Sequence, residues 1–180
     1  MSRPLAWLYV AGGALGFAAS AVLTLEKLAL LRNPAHVPTC SLNPVVSCGP
    51  VMDSPQAAAF GFPNPLLGIA GFAVVVTTGV ALLAGFAPPR SYRLALNAGT
   101  GLAVVFVHWL VVVSLYDIHA LCLYCIVVWI VVIPLFWYTT LDTWPRLAPL
   151  RRLHSTVLVL WYAVIVALVL HAFWDYWVTA

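Results

Sequence analysis

Five stretches of this chain run for about 20 residues or more without a charged side chain: Leu5–Leu25, Pro65–Ala87, Leu94–Tyr116, Ile118–Leu141 and Ser155–Trp174. At about 1.5 Å per residue, each is long enough as a helix to cross a hydrocarbon layer about 30 Å thick. Within that layer no water meets the backbone, so a spanning run must satisfy its own peptide groups as a helix. Only 7% of the 180 residues are charged, against about a quarter in soluble domains, so a soluble fold is excluded. The pattern predicts an all-α membrane protein, a single integral membrane domain over 1–180 with five transmembrane helices at about 5–29, 65–87, 92–116, 118–141 and 154–176. The first run is too long for a signal-peptide core and meets Glu26 and Lys27 before any small-residue cleavage site, so it is expected to remain as helix.

Orientation follows from the eight basic residues. Arg3, Arg90, Arg93, Arg146, Arg151 and Arg152 share one side, and only Lys27 and Arg32 fall on the other. Basic residues near short loops stay cytoplasmic. The expected topology is therefore multi-pass in the plasma membrane, N-terminus inside and C-terminus outside. The formal net charge of +3 reflects that topology and points to no nucleic-acid partner, because the charges flank lipid-buried runs and form no soluble basic face.

One outer connection is unlike the others. Residues 32–63, "RNPAHVPTCSLNPVVSCGPVMDSPQAAAFGFP", hold six of the thirteen prolines, with Val45, Val46, Val51, Met52, Phe60 and Phe62 as apolar anchors. Loops longer than about 12–15 residues are usually binding segments when they are ordered. The run "DSPQAAAF" predicts a short surface helix with Ser54 as N-cap and Pro55 at its first position.

All four cysteines fall on the outer side of this topology, where disulfides persist. Cys40 and Cys48 lie in the long loop, and Cys122 and Cys125 form a C-x-x-C opening the fourth helix. A helix start favours the thiolate, so Cys122 is expected to be the more ionisable thiol. Cys125 lies about 4.5 Å further along the axis, followed by the apolar "IVVWIVV". A dithiol at the water–lipid boundary can pass electrons between protein thiols and a lipid-soluble redox molecule, for which a quinone is the obvious choice. Two other readings remain. A four-cysteine zinc site is disfavoured by the seven residues between Cys40 and Cys48 and by the oxidising compartment, so no metal is expected. Two inert structural disulfides are disfavoured because a bond between residues three apart on a helix would be strained and easily reduced.

In this order of residues the chain resembles the vitamin K epoxide reductase family, and in particular bacterial members that oxidise protein thiols. The resemblance rests on "CSLNPVVSCGPVMDSPQAAAFGFPNPLLGIAGF", residues 40–72, and "LYDIHALCLYC", residues 115–125. It implies a four-helix bundle around a quinone of menaquinone or ubiquinone type near the outer surface, with the fifth helix peripheral. It implies that Cys40 and Cys48 carry electrons between a thioredoxin-like protein and Cys122–Cys125, with Cys48 exchanging with Cys122, Cys40 meeting the external protein and Cys125 next to the quinone. It also implies that Ser54 and Asn64 belong to the quinone pocket, where Asn64 would donate to a quinone carbonyl; read locally, they are a cap and a turn residue. Met52 and Trp129 are expected to line the same pocket. Animal members carry tyrosine where this chain has Trp129, so the resemblance leaves epoxide reduction and animal-type inhibitor sensitivity open. With the sequence given stopping at Ala180, the thiol partner is expected in trans, a secreted DsbA-like or other thioredoxin-fold protein.

Other residues carry weaker signals. His119 and Asp117, beside the C-x-x-C, are possible proton carriers but more often helix-end residues. His108 is an intramembrane ionisable group, suspect by default, though a histidine bonded inside the bundle is the simpler reading. Pro134 should free a carbonyl near Ile130. The expected activity is that of a quinone-dependent membrane thiol oxidoreductase promoting disulfide formation. Its rivals are a quinone or quinone-epoxide reductase valued for its hydroquinone, and a non-catalytic scaffold with two structural disulfides.

Overall fold

The computed structural model describes residues 1–179. The chain forms α1 (Arg3–Arg32), α2 (Cys48–Asp53), α3 (Pro65–Leu83), α4 (Arg90–Val113), α5 (Leu123–Thr143), α6 (His154–Ala172) and α7 (Trp174–Thr179). α1, α3, α4 with the turn that follows it, α5 and α6 are each long and apolar enough to cross a membrane, as the charge-free runs predict.

α1 packs on α3 and α5, and α5 packs on α4. Lipid tails are as apolar as leucine, so membrane helices associate through close backbone approach at small residues. α1 meets α3 in this way. A Cβ on Gly16 would collide with the Phe72 ring, one on Gly68 with the Ser20 hydroxyl, and one on Gly79 would stand 2.9 Å from both the Ala6 carbonyl and the Tyr9 Cβ. At the end holding Arg93, polar ties add to the packing: Asn97 donates to Thr140 at 2.7 Å, Tyr9 and Thr139 share a 2.6 Å bond, and Arg93 pairs with Asp142 at 3.0 Å. α3 and α4, by contrast, line facing walls of a cavity.

No described residue of α6 is buried, and this helix sits outside the four-helix bundle. Polar contacts hold it, among them a 2.8 Å bond between the Tyr138 hydroxyl and His154 Nδ1 at its start. Trp161 donates its indole N–H to His108 Nε2 at 2.8 Å, while His108 Nδ1 bonds the Val104 carbonyl at 2.8 Å. The Tyr162 hydroxyl donates to the Ile130 carbonyl at 2.6 Å, the group that Pro134 leaves without its helical donor.

The α4–α5 connection differs from a simple break at Asp117. After Val113 the chain makes a π turn over Ser114–Ile118 that ends at His119 in the left-handed region, φ 54°, a conformation histidine tolerates better than most residues. The Ser114 hydroxyl bonds the Ala120 carbonyl across this turn. Ile118 therefore belongs to the end of the third span, and the fourth begins at Leu123, with Cys122 as its N-cap.

Candidate active site

The redox loop is shaped by local hydrogen bonds. Asn43 Oδ1 accepts from the backbone N–H of Val45 at 3.0 Å and of Val46 at 2.7 Å. The Leu42 N–H bonds the Val46 carbonyl at 2.9 Å. This turn, with Pro44 at its corner, brings the chain back on itself, and Cys40 and Cys48 are joined in a disulfide with Cα atoms 5.7 Å apart. Cys122 and Cys125 are free thiols.

A second set of backbone bonds docks the loop onto the C-x-x-C. Leu121 donates its N–H to the Val45 carbonyl at 2.7 Å, and Ser47 donates to the Leu121 carbonyl at 2.9 Å, forming a parallel bridge of Val46 with Leu121. Register does the rest. The residue after Ser47 is Cys48, at the start of α2, and the residue after Leu121 is Cys122, at the cap of α5. Their sulfurs end 3.2 Å apart. Both are fully buried, with Leu23 and Met52 packed around them.

Cys122 Sγ accepts the Cys125 backbone N–H at 3.4 Å. This thiol, outside the spanning helix, is held below its ordinary value, chiefly by a hydrogen bond from the Cys125 side chain and then by the Cys125 and Tyr124 backbone N–H groups, with burial opposing them. Cys125 stands one turn into α5, on the wall of the cavity. The sulfurs of Cys40, Cys48 and Cys122 lie within 4.8 Å of one another. Because two of them are joined, they do not supply a set of thiolate metal ligands in this state.

The cavity has a volume of about 1080 Å³ and reaches from Cys122 and Cys125 down to Tyr92 near the opposite end of α4. Ligand sites run to roughly 1,000 Å³, so this one suits a large apolar molecule. Val74 on α3 and Leu102, Val105 and Trp109 on α4 line it while remaining exposed, so it opens sideways between these helices, toward lipid. Cys122 and Cys125 line the end of it away from Tyr92.

Ser54, Asn64, Met52 and Trp129 all line this cavity. Met52 and Trp129 are buried in its wall. Ser54 stands at the N-cap position of the 3-10 turn Pro55–Ala58, with Pro55 opening it as the sequence suggests, but its side chain makes no cap bond. The surface helix starts earlier, at Cys48, and Ser54 ends it in an extended conformation, because the residue before a proline is pushed out of the helical region. Its hydroxyl donates to the Val51 carbonyl at 2.8 Å, and a single 3-10 turn, Pro55–Ala58, follows. Asn64 clamps this segment: its amide donates to the Gln56 carbonyl at 2.7 Å and accepts from the Ala59 N–H at 3.1 Å. One N–H of that amide remains for a further acceptor. His119 and Asp117 lie on the exposed turn and His108 faces α6; these three are not among the cavity residues.

One group of residues at the site has no motif to announce it. At the end of α1 nearest the cysteines, Glu26 binds His36 and Thr39, and Lys27 binds Met52 and Asp53. The signal available in the sequence was the adjacent acid–base pair ending a charge-free run.

The model of the family described as "Vitamin K epoxide reductase family" matches residues 7–140, from the first turns of α1 to the last turn of α5, with all four cysteines inside the match. The chain belongs to the vitamin K epoxide reductase family. Among curated proteins none matches it. Membership makes it a membrane oxidoreductase, and vitamin K epoxide reductase family proteins generally use a quinone. α6 and α7 lie beyond the matched residues.

Proposed function

We propose that this protein is a thiol oxidase that takes electrons from an extracytoplasmic thioredoxin-fold protein and delivers them to a membrane quinone, so that disulfides form outside the cell. The observation that carries this reading is the 3.2 Å approach of Cys122 Sγ to Cys48 Sγ, with the Cys40–Cys48 bond on one side and Cys125 at an apolar cavity on the other.

The arrangement corresponds to the state after electrons have passed inward. In the forward direction the partner's dithiol reduces Cys40–Cys48 by exchange. The Cys48 thiolate then attacks Cys122 of a Cys122–Cys125 disulfide, forming Cys48–Cys122 and expelling Cys125 as thiolate. Cys40 resolves that bond, which leaves the loop oxidised and the C-x-x-C reduced. Thiol exchange runs through mixed disulfides and requires the attacking sulfur to reach its target, and the loop–Leu121 bridge holds the two sulfurs in that relation. Cys122 and Cys125 would close their disulfide by giving up two electrons and two protons, for which a quinone held in the cavity would supply the acceptor. The residues lining the cavity exclude water around the thiols, and the remaining Asn64 N–H is available to a carbonyl oxygen, where a hydrogen bond would stabilise charge developing on reduction.

Two double variants test the relay. With Cys40→Ala and Cys125→Ala, the two cysteines left, Cys48 and Cys122, should link under mild oxidation in most molecules. With Cys48→Ala and Cys125→Ala, the Cys40–Cys122 pair should link far less. Mass spectrometry of non-reduced digests reads both, and a preference for Cys40–Cys122 would reverse the assigned order. Extraction of a stoichiometric quinone from the purified protein tests the acceptor, and its identity names the type.

A further inference from the structure

The relay needs an external thiol to reach Cys40, yet Cys40 is 1% exposed. Cys40 is packed in one cluster with Leu23, Cys48, Met52 and Cys122, and the limb that leads into it is fixed by a small group of bonds converging on one carboxylate. Glu26, itself only 8% exposed at the outer end of α1, accepts the Thr39 backbone N–H at 3.2 Å and the Thr39 hydroxyl at 2.6 Å on Oε1, and meets His36 Nε2 at 2.7 Å on Oε2. Thr39 is the residue immediately before Cys40. Its hydroxyl also lies 3.3 Å from the hydroxyl of Tyr124, between the two cysteines of the C-x-x-C. The limb leading into Cys40 is thus fixed both to α1 and to the segment carrying Cys122. The neighbouring residue does the equivalent for the other limb: Lys27 Nζ donates to the Met52 carbonyl at 2.7 Å and pairs with Asp53 at 3.2 Å, at the end of the helix that Cys48 begins.

From this division of contacts we infer that Glu26 and Lys27 are positioning residues with separate duties: Glu26 latches the limb that leads into Cys40, and its release lets Cys40 move out of its cluster to meet the external thiol, while Lys27 holds Cys48 against Cys122. The inference rests on the relay proposed above. A thiolate from a dithiol protein attacks Cys40 Sγ, forms a mixed disulfide there and expels Cys48 as thiolate. The partner's second thiol then displaces Cys40, so the partner leaves oxidised and the loop is left as a dithiol. With the latch shut, the first of these attacks is blocked by burial. With it open, the limb 33–39 can swing while α2, held by Lys27, keeps Cys48 at its station. Three bonds sharing one carboxylate let a single group control the opening, and a docking partner that competes for His36 or Thr39 would release it.

The test isolates the loop disulfide. In a Cys122→Ser, Cys125→Ser background, Cys40–Cys48 is the one redox pair, and its reduction by reduced glutathione in detergent can be followed by alkylation and intact mass. Glu26→Ala should speed that reduction by about tenfold or more, a factor that loss of one charge-assisted hydrogen bond already supplies. Glu26→Gln, which keeps an acceptor for Thr39, should lie between Glu26→Ala and the parent. Lys27→Met should leave the reduction rate within about twofold, and should instead lower the yield of the Cys48–Cys122 link in the Cys40→Ala, Cys125→Ala protein. His36→Ala and Thr39→Val remove the same bonds from the loop side, should each accelerate reduction by a smaller factor, and substitute for Glu26→Ala if that variant does not fold. Equal acceleration by the Glu26 and Lys27 variants would mean general loosening and would overturn the inference, as would an unchanged or slower rate without Glu26. No quinone and no partner enters this assay. A failed latch with an intact Cys48–Cys122 link leaves the relay standing, whereas loss of that link removes the relay itself.

Discussion

Cys122 shows how a side chain's chemistry is set by its backbone position. As the N-cap of α5 it is offered the unpaired N–H groups of Tyr124 and Cys125, together with the Cys125 thiol, and hydrogen bonds to the charged form favour that form. A lowered value means that more thiolate is present at a given pH, so exchange through Cys122 should persist below the pH at which an ordinary thiol, with a value of about 8.5, has lost its charge. With the loop disulfide intact, thiolate absorbance should rise in a first step below that range as pH increases, and Cys122→Ser should abolish the step. A first step at or above the ordinary range would show that burial outweighs the hydrogen bonds. The ionisable cysteine was legible in the sequence from its place at a helix start, but its strongest aid, the second thiol of the same motif, depends on the turn actually adopted. Ser54 and Asn64 were legible as residues of this region, whereas their bonding to Val51, Gln56 and Ala59 was not, because it follows from how the loop closes.

At the scale of elements, the five spans were the easiest part to read, since a long apolar run without charge has one stable solution in lipid. Their ends were harder. α1 has 30 residues, about 45 Å of helix, more than the hydrocarbon needs; the surplus includes the turn that carries Glu26 and Lys27 beside the cysteines. A charge pair at the end of a spanning helix has a generic explanation at the interface, and only the folded loop shows that both residues have partners. The Val46–Leu121 bridge was likewise invisible, being a backbone pairing between residues 75 apart in the chain that no side-chain pattern announces. Pro134 is the opposite case: its freed carbonyl was predictable, and Tyr162 supplies the donor. The α1–α3 contact makes a sharp prediction. A methyl at Gly16 has no room beside Phe72, whereas one at Gly71 meets nothing within 4 Å. Gly16→Ala should therefore cost about 1–3 kcal/mol, seen as a lower melting temperature of the detergent-purified protein, and Gly71→Ala should match or exceed the parent. Equal melting of both variants would show that this contact is looser than its geometry.

For the whole molecule, the arrangement joins two solvents. The cysteines and their loop gather at one end of the bundle, and the cavity leaves that end and opens sideways between α3 and α4; in the function proposed above, a thiol protein would approach from water and an apolar acceptor from lipid without either crossing the other's path. The basic residues divide along the same axis. Arg93, Asp142 and the N-terminal amine come together at one end, while Lys27 is engaged with the redox loop at the other. If retention of basic residues in the cytoplasm governs insertion, the loop faces outward. In intact cells treated with a permeant reductant, a membrane-impermeant maleimide should then modify the loop cysteines, faster in the Glu26→Ala protein, where the limb leading into Cys40 is released. A cysteine placed at Ser91, beside Arg90 and Arg93, should react only after permeabilisation. Labelling of Ser91→Cys in intact cells, with the loop silent until the membrane is opened, would invert the topology. It would leave the sulfur geometry untouched but would move the thiol partner to the cytoplasm, where a reducing pool would drive the same relay toward hydroquinone production rather than protein disulfides.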